Sequence, residues 1–379
     1  MHANPAPSPA QRIVCLGDSI TDGNTYAQLI MQALAEANRP VPACVCSGVG
    51  ADSAEQMEAR FDRTVAAFQP DLVTFSAGTN DVLRNVKPEQ YEKSVRAILG
   101  KIRAINADAI VLTPCEYLAR IGKTEEEKDA NKQEMDRRLD LCEAALRRAA
   151  AEHGFPIAEN RALMRVAVGK GENIMIPDGI HPNYRGQQLM ARSVLDAMGL
   201  TGVALPAIFH PKLFPGVVKK WKIRLAPHDA EGQPVRLTPE TSASLVPDGS
   251  WQIYTLPEEE PRADSAEDWW EQLRLNGFAT QVDKRLGKGA AQAWTEVHLE
   301  TAKNAYAQIS VNVATVWVNG RKVFEQGEIY AGNHAGKDRI PIALQSGRNV
   351  ISIEITGPFF YFGITPALMW EDQLAAHYV

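Results

Sequence analysis

From residue 12 to about residue 198, short apolar runs alternate with stretches whose apolar residues recur every three or four positions, and this alternation constrains the fold more than any other feature of the chain. Residues 13–16, 72–76 and 109–113 have the length and composition of buried strands, and 43–46 and 156–158 are weaker runs of the same kind. Between them the spacing predicts helices. Tyr26, Leu29, Ile30, Ala33 and Leu34 share one helical face. Ser53, with Gln56 three residues on, is a capping box ahead of Met57, Phe61 and Val65. Pro88 opens a helix that turns Tyr91, Val95, Ile98, Leu99 and Ile102 inward. Thr124 with Glu127 caps another, and a last helix runs from near Asn183 to about Met198. Such a series folds as parallel strands joined by right-handed crossovers, with helices on both faces. The loops after the strands' carboxyl ends then gather at one rim, where ligands bind.

Beyond residue 216 the pattern changes. Residues 217–225, 250–256, 295–299, 308–313, 314–318, 322–324, 340–344 and 350–355 alternate or are rich in β-branched and aromatic residues. Asn319-Gly320 predicts a two-residue hairpin, and 346–349 another turn. Many short strands with turn punctuation predict an antiparallel β-sandwich. Composition is equally uneven: all five cysteines precede residue 143, and all seven tryptophans follow residue 220. Gly202, Pro206, Pro211 and Pro215 interrupt any long element between the halves. The expected organisation is a flexible N-terminus (1–11), an α/β domain (12–200), a linker (201–216) and a β-sandwich (217–379).

With 40 Lys+Arg against 46 Asp+Glu the net charge is −6, which gives no electrostatic reason to expect nucleic acid or anionic lipid as a partner. No apolar run approaches the ~20 residues of a membrane-spanning helix. The opening residues lack the apolar core of a signal peptide, so the chain as given reads as cytoplasmic, or as an exported protein whose signal has been removed. An odd number of cysteines (Cys15, Cys44, Cys46, Cys115 and Cys142) without repeated spacing argues against a disulfide framework. No second Cys/His pair completes a zinc set around Cys44-x-Cys46, so these read as buried, reduced thiols, and no metal or other cofactor is expected.

Chemistry-bearing residues follow the predicted strands. Gly17-Asp18-Ser19 puts a serine at a strand-to-helix turn, where a nucleophile can be exposed or a helix capped. Gly78-Thr79-Asn80-Asp81 offers an amide that can face a developing oxyanion, or an Asx-turn. Asp178-Gly179-Ile180-His181-Pro182-Asn183 offers a general base, His181, and a carboxylate, Asp178, able to hold its tautomer, or a turn residue, Asp178, ahead of a helix cap at His181 or Asn183. Together the three segments supply nucleophile, base, orienter and oxyanion donor at one rim, the full set for acyl transfer.

These three blocks resemble the conserved blocks of the SGNH, or GDSL-type, hydrolases, over about residues 12–200. The resemblance implies a flavodoxin-like three-layer α/β/α domain and esterase, lipase, thioesterase or carbohydrate acetylesterase activity. It implies Ser19 as nucleophile, His181 as base and Asp178 as third member, with an oxyanion hole from the Ser19 amide, a second-block glycine amide and the Asn80 side chain. The second block departs from the family: the best register sets Cys46 at its asparagine and Ala51 at its oxyanion glycine, with Gly50 as the fallback donor. The donor is a backbone N–H, which alanine also has, so the reaction type survives if the backbone angles suit a Cβ.

The candidate substrate contacts are Asp18, Gly50, Arg84 and Tyr117; Arg84, after the Asn80 block, could meet a polar or acidic substrate but reads more readily as a solvated loop arginine, and Tyr117 lies within a mixed apolar and charged stretch, 113–120, that does not read as a greasy acyl tunnel. The C-terminal half, around 315–323 and 339–349, resembles galactose-binding-like jelly rolls that accompany glycan-processing enzymes. The pairing favours an acetylated carbohydrate as substrate. The alternatives are a short-chain aryl or alkyl esterase or lysophospholipase with a structural second domain, and an inactive carbohydrate-binding protein.

Overall fold

A computed structural model of the chain describes residues 12–210, 216–256, 280–310, 312–326, 340–365 and 377–378. These fall into two compact units that divide between His210 and Gly216.

The first unit is built on five parallel strands, β1 (Arg12–Gly17), β2 (Ala43–Gly48), β3 (Leu72–Ser76), β4 (Asp108–Leu112) and β5 (Ile157–Ala158), in the order β2-β1-β3-β4-β5. All five residues of β3 are buried, because helices cover both faces; this is why the strand shows an apolar run and no alternation. The helices are α1 (Ser19–Asp22), α2 (Thr25–Glu36), α3 (Ala54–Thr64), α4 (Thr79–Leu83), α5 (Pro88–Ala104), α6 (Glu125–His153), α7 (Asn160–Gly169) and α8 (Tyr184–Ala197). Helices α2, α7 and α8 pack as one group and α3, α5 and α6 as another, the outer layers of a three-layer α/β/α fold. The expected caps form: the Ser53 amide donates to Gln56 Oε1 at 3.1 Å, Thr124 Oγ1 accepts from the Glu127 amide at 3.2 Å, and Asn183 Oδ1 from the Gly186 amide at 3.1 Å. Helix α7 was not expected, because two of its four buried positions are the polar Asn160 and Arg161, which obscure the inward stripe continued by Met164 and Ala167.

The stretch expected as a linker is not loose over its length. Phe209 is buried beside Tyr184, Gln32 brackets the Ile208 carbonyl (2.7 Å) and the His210 amide (2.9 Å), and Arg192 holds the Leu200 carbonyl at 2.9 Å. Glycine and proline here end a helix without detaching the chain. Residues 211–215 and the N-terminal 1–11 lie outside the described residues, as do Trp269, Trp270 and Trp370.

The second unit is antiparallel throughout its described pairings. Its strands are β6 (Lys220–Leu225), β7 (Gln252–Thr255), β8 (Thr280–Gln281), β9 (Ala291–Leu299), β10 (Lys303–Ile309), β11 (Val313–Val318), β12 (Arg321–Glu325), β13 (Ile340–Leu344), β14 (Gly347–Ile355), β15 (Phe359–Phe360), β16 (Phe362–Thr365) and β17 (His377–Tyr378), with two short helices among the described residues, α9 (Pro239–Ser244) before β7 and α10 (Asp283–Leu286) before β9. The larger sheet runs β12-β11-β14-β9-β6-β7, with β17 also beside β9, and the smaller runs β13-β10-β16. Trp221 of β6 meets Phe362 of β16 edge-on at 5.6 Å, so the two sheets share apolar contacts. Asn319 (φ 51°) and Gly320 (φ 78°) form the expected hairpin turn between β11 and β12. The expected strand 308–313 instead ends at Ile309, because Asn312 turns left-handed (φ 74°), and β10 starts earlier, at Lys303. The turn expected at 346–349 is shorter: β13 ends at Leu344 and β14 already begins at Gly347, with β13 pairing with β10 and β14 with β9.

Candidate active site

In a β2-β1-β3 order the crossovers from β1 and β3 leave in opposite directions, which opens a crevice between their carboxyl ends. Ser19 follows β1 and Asn80 follows β3, so they flank that crevice. Ser19 is half-buried at the start of α1, and Asp18 Oδ1 accepts from the Ile20 amide at 3.0 Å. His181 comes from the loop ahead of α8, with its Nε2 2.8 Å from Ser19 Oγ and its Nδ1 2.6 Å from Asp178 Oδ2. The other Asp178 oxygen accepts from the amides of Ile180 (2.8 Å) and His181 (3.0 Å). Burial pushes the Asp178 carboxyl up, but the hydrogen bonds from the His181 ring and these two amides outweigh it and hold the group below its ordinary value. An ionised carboxylate only accepts, so Nδ1 carries the ring proton, and Nε2 of the neutral imidazole is left to accept from Ser19 Oγ. Such a row can take the hydroxyl proton as the oxygen attacks a carbonyl.

The His181 loop is held from behind. The Gly179 carbonyl accepts from the amides of Leu118 (2.8 Å) and Ala119 (3.0 Å). Gly179 is left-handed (φ 69°), and a Cβ there would lie 2.4 Å from the Ala119 nitrogen, so no other residue fits. The 113–120 stretch is anchored in turn by buried Glu116, which accepts from Arg161 Nε at 3.1 Å and Arg165 Nε at 2.9 Å. Tyr117 is buried within it rather than open to substrate; burial and the nearby Asp178 charge both raise its phenol.

Asn80 Nδ2 donates to Asp18 Oδ2 and to the Asp52 carbonyl, each at 3.2 Å, so it ties together the loops after β1, β2 and β3. Asp18, expected to meet substrate, is instead buried and committed to Ile20 and Asn80. Burial lifts its carboxyl to about 6, against the Ile20 hydrogen bond. Asp81 is lifted to about 6 by the same cause and accepts from the Ala54 amide at 3.1 Å. Exposed Arg84 bonds to Gln56 Oε1. In the second block the left-handed position is Ala51 (φ 65°). Gly50 is not left-handed and has open space where a Cβ would stand. Among the described residues the Ala51 N–H has no acceptor. Cys46 does bond backbone, its Sγ donating to the Thr21 carbonyl at 3.1 Å.

Residues 15–189 match the model of the GDSL-like Lipase/Acylhydrolase family. Over 187 residues the chain is 30% identical to the thioesterase 1/protease 1/lysophospholipase L1 of Escherichia coli strain K12, covering 48% of this chain and 80% of that protein. The chain belongs to the GDSL-like family. It is also 22% identical to an acetylxylan esterase of Geobacillus stearothermophilus, over 51% of this chain and 96% of the relative. A crystal structure of an acetylxylan esterase from the same organism superposes with a TM-score of 0.44 at 20% identity, over 52% of this chain and 97% of that one. The first unit is thus a GDSL-type hydrolase domain.

One residue that shapes this hydrolase site escaped the sequence reading. Arg60 of α3 is buried and all its nitrogens are used: Nε to Asp52 Oδ2 (2.6 Å), one terminal nitrogen to Ser47 Oγ (2.8 Å) and Thr64 Oγ1 (3.0 Å), the other to the carbonyls of Gly17 (2.9 Å) and Ser47 (3.0 Å). It clamps the ends of β1 and β2, one residue before Asp18 and four before Ala51. Its signal was an arginine in the inward stripe of Met57, Phe61 and Thr64, where a charge needs buried partners.

Proposed function

We propose that this GDSL-family member hydrolyses carboxylic esters through an acyl-enzyme. The observation that carries the reading is the hydrogen-bonded row Ser19–His181–Asp178 at the β1/β3 crevice. Ser19 Oγ attacks the ester carbonyl carbon while His181 Nε2 takes its proton. The carbonyl oxygen becomes an oxyanion, faced by the amides of Ser19 and Ala51 and by Asn80 Nδ2, whose 3.2 Å contacts are long enough to yield to a full negative charge. Collapse breaks the bond to the alcohol, which leaves with the proton from Nε2. Water then repeats the sequence in reverse roles, delivering its proton to Nε2, and frees the acid and Ser19. Asp178 stays ionised and stabilises the imidazolium.

The substrate in this reading is a short acyl ester, acetyl above all, on carbohydrate. Asp178 and His181 keep 38% and 24% of their side chains exposed, which suits a bulky polar alcohol at an open rim. The similarity to an acetylxylan esterase favours the same class. The second unit, read as a β-sandwich of the galactose-binding-like kind, would modify access and perform no chemistry. A lysophospholipid or thioester is the second reading, favoured by the Escherichia coli relative. Release of acetate from acetylated xylo-oligosaccharides, compared with release of fatty acid from lysophospholipid and from acyl-CoA, separates the two. Faster turnover of either long-chain substrate would overturn the acetyl-carbohydrate assignment, and no turnover of any ester would overturn the esterase itself.

A further inference from the structure

In the second unit, the segment that carries α9 lies over one side of the larger sheet: the Leu237 amide donates to Glu354 Oε1 at 3.0 Å, and Gln292 Nε2 to the Val235 carbonyl at 3.2 Å. Beside this cover is a cavity of about 580 Å³, within the ~300–1,000 Å³ of small-molecule sites. Thr315 and Trp317 line it from alternate positions of β11, and Glu354 lies opposite Thr315 on β14.

Its polar groups are arranged for hydroxyls. Glu354 is 4% exposed and fixed in place by the Leu237 amide and Thr315 Oγ1. Arg236 stands 3.9 Å from Glu354 Oε1, too far for a direct hydrogen bond. A hydroxyl, donor and acceptor at once, can span a guanidinium and a carboxylate at that separation. On the other wall Lys322 pairs with Glu325 at 2.7 Å and lies over the Trp317 ring at 5.9 Å. Trp317 is 5% exposed, and its indole N–H has no acceptor among the described residues. Exposed Gln326 adds an amide. Two cations and two carboxylates cancel, so the cavity has no net preference for a charged ligand. Leu237, Ala314 and Trp317 are too little apolar wall for an acyl chain.

We propose that this cavity binds a neutral saccharide, with a sugar hydroxyl bridging Arg236 and Glu354. The proposal does not rest on the ester reading, because binding is measured without turnover. The test titrates the full chain with unacetylated neutral oligosaccharides of xylose, glucose and galactose, followed by calorimetry. At least one should bind saturably at millimolar concentration or below, with little dependence on salt. Arg236→Ala and Gln326→Ala should each weaken that binding about tenfold or more, with thermal unfolding unchanged because both side chains are exposed. Absence of binding by every neutral oligosaccharide would overturn the proposal. So would binding that both variants retain in full, or binding only of charged oligosaccharides that salt abolishes.

Discussion

The two units bury charge in opposite ways. In the first, Asp18, Asp22, Asp52, Arg60, Asp81, Glu116 and Arg161 are all withdrawn from solvent; in the second, among the described residues, only Glu354 is. The rim of a parallel sheet explains the difference. Each strand there turns into a helix or loop whose first amides have no partner within the helix, and these amides can solvate a carboxylate. Asp18 takes the Ile20 amide and Asp81 the Ala54 amide. In an antiparallel sheet the ladder consumes the amides, and Glu354 finds one only because Leu237 lies in a covering loop. Buried charged groups therefore collect in the first unit, at the ends of its parallel strands and the helices that follow them, while the antiparallel second unit keeps nearly all of its described charges at the surface.

The sharpest way to break this comparison is Ser19→Ala. If reactivity resides wholly in the first unit, turnover of p-nitrophenyl acetate should fall about 10⁴-fold or more with the fold intact. A variant that still turns over near the wild-type rate, free of contaminating esterase, would place the chemistry elsewhere. Next in size is Arg60→Met, which keeps the volume but leaves Asp52 buried without its cation. Urea unfolding should register a loss of ~3–5 kcal/mol. A loss below about 1 kcal/mol would mean that the clamp on β1 and β2 does not depend on the guanidinium.

Asp18→Asn sharpens the comparison through pH. The Asp18 carboxyl is raised to about 6 from 3.8, so the folded protein keeps a proton that the unfolded chain releases between those values. The stabilisation tied to that proton is full below pH 3.8 and is lost as pH rises through about 6. Asparagine does not titrate. The variant should therefore gain on the wild type between about pH 4 and pH 7, by roughly 2–3 kcal/mol. A difference that is the same at both pH values would mean the carboxyl is not raised. The smallest effect belongs to Ala51→Gly. Release of a left-handed alanine is offset by the freer unfolded chain, for a net gain of up to about 1 kcal/mol with turnover retained. A lower melting temperature would contradict the left-handed geometry.

Local signals were legible wherever neighbours in sequence decide the outcome. The capping residues Ser53, Thr124 and Asn183, the Asn319-Gly320 turn and the apolar strands β1 and β3 depend on contacts within a few residues. Residues Ser19, Asn80, Asp178 and His181 could be placed at one rim because parallel topology sends every strand end the same way. The sequence could not reveal that Asp18 turns inward to hold Asn80, that Tyr117 is buried behind Asp178, or that Phe209 folds the expected linker back onto α8. Nor could it tell that Ala51, not Gly50, takes the left-handed turn. Periodicity and caps are properties of short segments and are written in order along the chain. Whether a carboxylate or an arginine is buried depends on which distant amides and carbonyls arrive beside it, and for Arg60 those come from β1, β2 and the loop between β2 and α3, which only the assembled sheet brings together.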